Sequence, residues 1–280
     1  MAVHVTVWDD RYRAGGGQGR PTARAPEAAA APALFVHSIF TWGSDPAYGF
    51  AGQRPLADGR PLLLMDRRGY GDSPDTVRSD FDVDAEDIVA VLRGASADGS
   101  GGAHLVGHGN GAVAALVAAS RRPDLVRSLA LVQPSAFTAA ADHPVVADLL
   151  DRVRGTDPGI PDGVTAEQYL RASTGGLGMA MPEPTPRRLR AVATSMRERP
   201  IWDAEIPLEP IRGAGLPVLV ICGTWESAPA AYREHVGVPL MAVAESLADA
   251  LAGRLLWVPG YYPHTQEPAA VNAALREFWN

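Results

Sequence analysis

The chain contains no lysine: all 25 basic residues among its 280 are arginine. That absence excludes catalysis through a lysine Schiff base, anchoring of pyridoxal phosphate, and a phosphate-binding loop that relies on lysine. Cys222 is the single cysteine, so neither an internal disulfide nor a cysteine-ligated zinc cluster can form. No apolar run approaches the roughly 18 residues a membrane-spanning helix requires. The opening "MAVHVTVWDDRYR" also lacks the apolar segment of a secretory signal. A cytoplasmic location is therefore the expectation. The net charge of −7 disfavours nucleic acid or an anionic membrane as the main partner. Low complexity is confined to residues 14–33, "AGGGQGRPTARAPEAAAAPA", which read as a flexible surface loop.

What is present is a regular alternation of short apolar runs and helical patterns. Strands are predicted at Val3–Trp8, Ala33–His37, Pro61–Asp66, Ala103–Gly107, Val126–Gln133, Pro217–Cys222 and Arg254–Val258. Helices are predicted at Val83–Gly94, Asn110–Arg121, Val243–Ala252 and Pro268–Trp279. This order predicts an α/β fold with a mostly parallel twisted sheet flanked by helices. Between Pro134 and Pro210 the alternation stops, and helical stretches (Val145–Arg154, Pro186–Arg199) are separated by Gly/Pro-rich turns. Residues 1–133 and 211–280 are thus expected to form the core. Residues 134–210 are expected to form an inserted helical cap over the site, with turns or hinges at Gly155–Gly163 and Gly175–Pro186.

Five segments carry chemistry. They are "LFVHSIFTWG", "LLLMDRRGYGDSP", "LVGHGNGA", "VLVICGTWES" and "VPGYYPHTQEPAAVNAALREFW", in that order. Together they resemble the α/β-hydrolase fold family, in its cap-bearing branch, over nearly the whole chain. The second segment matches D-x-R-G-x-G-x-S. The resemblance makes the first segment an oxyanion loop, the third a nucleophile elbow, the fourth the strand and loop that carry the acid, and the fifth the histidine loop with the final helix. It assigns Asp66 and Arg68 to loop structure and places His108 behind the site. His104 reads as a satisfied histidine of core or surface, and Cys222 as a packing thiol.

The departures cluster at the chemistry. Gly109 stands where the elbow serine belongs, leaving the nucleophile position vacant and closing the acyl-enzyme route. The histidine loop is altered: alignment on the final helix leaves His264 beyond the usual position and puts a short deletion or Tyr262 there. Glu226 replaces the commoner aspartate, and Ser38 replaces the usual glycine of the oxyanion loop. The resemblance implies an oxyanion hole from the Asn110 N–H with an N–H of the Ser38–Ile39 region. It also implies a proton shuttle from a Glu226–His264 pair, whose carboxylate would raise the histidine pKa. His37, Trp42, Trp225, Tyr261 and Tyr262 are expected to line a substrate site suited to a flat, partly polar ligand.

Three functions fit. The first is a non-hydrolytic tailoring enzyme of bacterial natural-product biosynthesis, acting on an aromatic or polyketide-derived small molecule by enolisation, addition, elimination or cyclisation. The second is a serine-independent hydrolase in which Glu226 and His264 activate water. The third is a small-molecule binder without turnover. No cofactor and no metal are expected, and a homodimer is left open.

Overall fold

The computed structural model describes residues 2–10, 30–96, 101–156 and 160–280. Seven strands form one sheet in the order β1-β3-β2-β4-β5-β6-β7. They are β1 (Val5–Trp8), β2 (Ala33–Val36), β3 (Leu62–Met65), β4 (Ala103–His108), β5 (Val126–Val132), β6 (Val218–Gly223) and β7 (Arg254–Val258). Only β1 is antiparallel, pairing with β3; the other five pairings are parallel. The helices are α1 (Phe81–Ala95), α2 (Asn110–Arg121), α3 (Pro144–Thr156), α4 (Ala166–Gly175), α5 (Pro186–Ser195), α6 (Glu209–Gly213), α7 (Ala230–Tyr232), α8 (Val238–Ala250), α9 (Pro263–Gln266) and α10 (Pro268–Trp279). None of these helices is long and apolar enough to cross a membrane.

Parallel strands covered on both faces need apolar side chains on both faces. β2 and β4 are buried along their whole length. Leu34, Leu105, Leu129 and Val220 face a core shared with α1, α2 and α8. Alternate residues Phe35, Leu64, Val106 and Ile221 face a second core with Phe50, Leu275 and Trp279. The Ala-rich α2 is buried from Gly111 to Ser120, because small side chains let it lie close to the sheet.

The element boundaries differ from expectation where local chemistry is decisive. α1 starts at Phe81, because the Asp80 carboxylate caps it by accepting the Asp82 N–H at 2.8 Å. α8 starts at Val238 rather than Val243: Pro239 sits in its first turn, where proline is tolerated, rather than breaking it. A π turn over Arg233–Gly237 precedes it. α4 went unpredicted despite a signal in the sequence, a reciprocal cap between Thr165 and Gln168. α5 ends at Ser195, short of Arg199. Of the expected surface loop, residues 14–29 lie outside the described residues, while Ala33 already belongs to β2. Residues 157–159 of the expected turn at 155–163 also lie outside them.

The segment between β5 and β6 carries α3 to α6, and α5 is its main attachment to the loop after β3. Thr194 Oγ1 donates to Gly69 O at 2.7 Å, and the Arg190 guanidinium donates to Gly71 O and Ser73 O at 2.7 and 2.8 Å. Arg188, almost fully buried, donates to the buried Asp45 carboxylate at 3.0 Å. Removing one partner of such a pair leaves a buried charge uncompensated. Arg188→Ala is expected to lower stability by about 3–5 kcal/mol in denaturant unfolding. A loss below about 1 kcal/mol would show that the Thr41 hydroxyl and the Ala47 N–H, which also donate to Asp45, suffice for its charge.

Candidate active site

β4 ends at His108 and α2 begins at Asn110, so Gly109 alone makes the corner. Its φ of 54° and ψ of −118° are unfavourable for any residue with a Cβ, which glycine avoids. The Gly109 N–H donates to Val132 O at 3.1 Å, tying the corner to β5. The corner opens on a cavity of about 300 Å³. Ser38, Ile39, His108, Asn110, Gln133 and Ser135 surround its elbow end. Tyr48, Tyr232 and Tyr262 form an aromatic wall, and Tyr169, Thr174, Leu177 and Met179 reach it from the segment between β5 and β6.

The Asn110 N–H, the expected oxyanion donor, points at the site but is already engaged. It donates to Ser38 Oγ at 3.2 Å. Ser38 itself stays in place through its neighbours. His37 Nδ1–H donates to Ser38 O at 2.7 Å, and His37 Nε2 accepts the Arg67 N–H at 3.0 Å. Both ring nitrogens of His37 are therefore used, and the residue braces the oxyanion loop instead of touching a ligand. Burial and the neighbouring Arg67 hold its pKa well below the usual histidine value.

The structure does not bring Glu226 and His264 together. Glu226 is exposed, whereas His264 is fully buried beneath Phe50 and His108. His264 Nε2 meets Tyr48 O at 3.2 Å; a carbonyl only accepts, so the proton sits on Nε2 and the lone pair on Nδ1. That Nδ1 is sealed without a partner among the described residues. Burial lowers the His264 pKa to about 4, opposite to the rise expected from a carboxylate partner. His264 does not line the cavity; Tyr262, two residues earlier, does. The shortened loop thus delivers a phenol where an imidazole was sought, and Tyr262 and Tyr232 share a hydroxyl–hydroxyl bond of 2.7 Å.

Three further expected lining residues lie outside the cavity wall. Trp42 is buried between the guanidinium groups of Arg187 and Arg188, 4.6 and 4.9 Å from its ring. Trp225 is fully buried against Gly237, where any Cβ would come within 2.6 Å of the indole. Tyr261 packs on Trp225 and Tyr232 and supports the wall from behind. Conversely, sequence reading missed Tyr48, Gln133, Ser135, Tyr169 and Tyr232. Of these, Gln133 had a signal, its place just beyond a parallel strand's carboxyl end. Its side chain links the Gly223 N–H (3.1 Å) to Tyr261 O (2.9 Å).

Behind the elbow lies a buried network built on Arg67. Its guanidinium donates to Asp84 at 2.9 Å and to Glu198 at 2.6 Å. Glu198 also accepts the Tyr70 hydroxyl at 2.7 Å and the Asn110 side-chain amide at 3.4 Å. Burial raises the Asp84 pKa to about 7. Asp66 accepts the Gly43 and Asp72 N–H groups at 2.8 and 2.9 Å, and Arg68 pairs with Asp87, so both have the structural roles expected. His104 bonds Ser128 at 2.7 Å and stacks on Trp279. Burial pushes the Cys222 thiol up to about 12, leaving it an inert packing group.

A family model described as alpha/beta hydrolase fold matches residues 32–224. The chain belongs to the α/β-hydrolase fold family. Similar solved structures cover almost the whole chain. An alpha/beta hydrolase from Sphaerobacter thermophilus DSM 20745 has 22% identity and a TM-score of 0.62, covering 99% of this chain and 96% of its own. A thermophilic esterase from Thermogutta terrifontis has 20% identity and a TM-score of 0.58, covering 99% and 92%. The enol-lactonase from Burkholderia xenovorans LB400 has 17% identity and a TM-score of 0.57, covering 99% and 95%. At these identities the likeness shows the fold. No curated protein sequence matches the chain.

Within this α/β-hydrolase fold the adjacent buried imidazoles of His108 and His264 give stability a pH dependence. His108 and His264 have ring centroids 4.2 Å apart and are both buried, and burial is the largest cause lowering each pKa. An unfolded histidine binds its proton near pH 6.5, so between that value and about 4 the unfolded chain holds more protons than the native one. The stabilisation from neutral His264 is therefore present above pH 6.5 and lost as pH falls towards 4. Asp84 acts in the opposite sense, its burial costing stability as pH rises from about 4 to 7. The four lowered histidines, His37, His104, His108 and His264, outnumber the two raised carboxyls, Asp66 and Asp84, so Tm is expected to fall on acidification. His264→Gln, which keeps a donor for Tyr48 O and does not titrate, should flatten that fall; an unchanged slope refutes the assignment.

Proposed function

We propose that this α/β-hydrolase-fold chain is a non-hydrolytic enzyme that moves a proton on an uncharged aromatic or polyketide-derived small molecule, as a tailoring step in natural-product biosynthesis. The supporting observation is the cavity's chemistry. Its wall, among the described residues, contains no carboxylate, arginine or cysteine, and no side chain at the elbow. The groups there that titrate are His108 and the tyrosines 48, 169, 232 and 262. A cavity without a fixed charge favours a neutral ligand, since an ion entering it loses its hydration without a countercharge. The aromatic wall suits a flat ring system, and Ser38, Gln133 and Ser135 offer hydrogen bonds to its oxygens.

His108 takes the base role in this reading. It reaches the cavity, burial keeps its imidazole neutral, and its Nδ1 has no hydrogen-bond partner among the described residues; the same burial makes an imidazolium formed there a ready donor that returns the proton. Tyr232 and Tyr262, whose phenols burial holds protonated, are the matching acids. An enolisable ketone bound between them would lose its α-proton to His108 and gain one on oxygen or carbon, with water excluded by α4 and the residues that follow it acting as a lid. Esterases and an enol-lactonase share the fold, but the acyl-enzyme route needs a nucleophilic side chain, and the elbow residue here has no side chain.

The reading is tested with 1-tetralone, a flat neutral ketone, in D₂O. The native protein is expected to accelerate α-proton exchange followed by NMR, and His108→Ala to slow it roughly 10²–10⁴-fold. Native ester turnover with incorporation of ¹⁸O from labelled water would instead establish hydrolysis. Saturable binding of the ketone without exchange would establish a binder.

A further inference from the structure

The hydroxyl of Ser38 and the absent side chain of Gly109 claim the same volume. A Cβ on Gly109 would fall on Ser38 Oγ, 2.8 Å from Ser38 Cβ and 3.7 Å from Ser135 Oγ. The oxyanion loop that normally has glycine carries serine, and the elbow that normally has serine carries glycine. What coincides in space is the Cβ that a residue at 109 would carry and the Ser38 hydroxyl.

The exchange changes what a ligand meets. Ser38 Oγ accepts the Asn110 N–H, so that amide is no longer the outermost donor. An oxygen that accepts one hydrogen bond becomes a stronger donor through its own hydrogen. Among the described residues no acceptor takes the Ser38 O–H, and Ser38 lines the cavity. Among the described residues no imidazole or carboxylate is hydrogen-bonded to Oγ, so none of them activates it as a nucleophile.

We propose that Ser38 has taken the elbow side chain's place as the ligand-contacting residue, donating its hydroxyl hydrogen to the carbonyl oxygen of a neutral ligand in the cavity. The donor chain runs from the Asn110 N–H at the start of α2 to Ser38 Oγ, and from Ser38 O–H to the ligand oxygen. The proposal rests on the functional reading above only in taking this cavity as the ligand site. Donation to a bound oxygen does not require that a proton be transferred from carbon.

Two measurements test it. The first titrates 1-tetralone into native protein and Ser38→Ala and follows its carbonyl stretch by infrared difference spectroscopy. The native protein is expected to bind it saturably with the stretch moved to lower frequency, and Ser38→Ala to weaken binding about tenfold and relieve that shift. Equal affinity and an equal stretch in the two proteins, or no saturable binding by the native one, overturns the donor role. The second is a thermal-stability cycle of Gly109→Ala, Ser38→Gly and the double variant. The positive φ penalises Gly109→Ala in both backgrounds, so the clash appears only as non-additivity: the Tm loss should shrink when Ser38 is glycine. Additive losses overturn the shared volume. Failure of the tetralone exchange alone leaves both results intact and counts against proton transfer only.

Discussion

The buried guanidinium of Arg67 is the constraint on which the arrangement of the site depends. Its side chain has no exposed surface, so its charge has to be balanced inside the protein. Asp84 on α1 supplies one carboxylate, and Glu198, just after α5, supplies the other. Because Glu198 also receives the Tyr70 hydroxyl and the Asn110 amide, one cation connects the loop after β3, α1, the segment between β5 and β6, and the first residue of α2. The Arg67 backbone N–H in turn fixes His37, and His37 fixes Ser38. The placement of Ser38 Oγ at the elbow therefore follows from a charge that has to be paired.

That arrangement accommodates a glycine at the elbow within the fold. The elbow keeps its strained corner, and glycine removes the steric penalty of holding it. The place a Cβ would take at the corner is filled by the Ser38 hydroxyl from the loop after β2. On the other side of the cavity, a phenol pair occupies the region where an acid–histidine pair was expected, and the histidine itself becomes a packing group under Phe50. The result is a neutral, aromatic, hydroxyl-lined cavity within a hydrolase architecture.

The π turn over Arg233–Gly237 belongs to the same design. Tyr232, Val236 and Leu240 recur every four residues and all line the cavity, which places them on one wall. Gly237 lies beneath the Trp225 indole, so the chain passes close enough for Trp225 to support Tyr232 and Tyr261. A π turn at such a place is a common device for aiming side chains into a site.

The sequence by itself determined the sheet and its flanking helices, because period-two and helical apolar patterns are local and the family's segments stand in order. It also determined that Gly109 has no nucleophile, since that follows from residue identity alone. Residue order could not decide which side chains reach the cavity. Glu226 sits at the aligned acid position yet faces solvent, and Trp42 and Trp225 sit on the right loops yet pack inward. Loop direction depends on contacts between distant segments, such as Arg67 with Glu198 at a separation of 131 residues and Gln53 with His264 O at 211. Tertiary structure also decided the protonation of the histidines, because desolvation, which no one-dimensional pattern reports, sets whether an imidazole can bear charge.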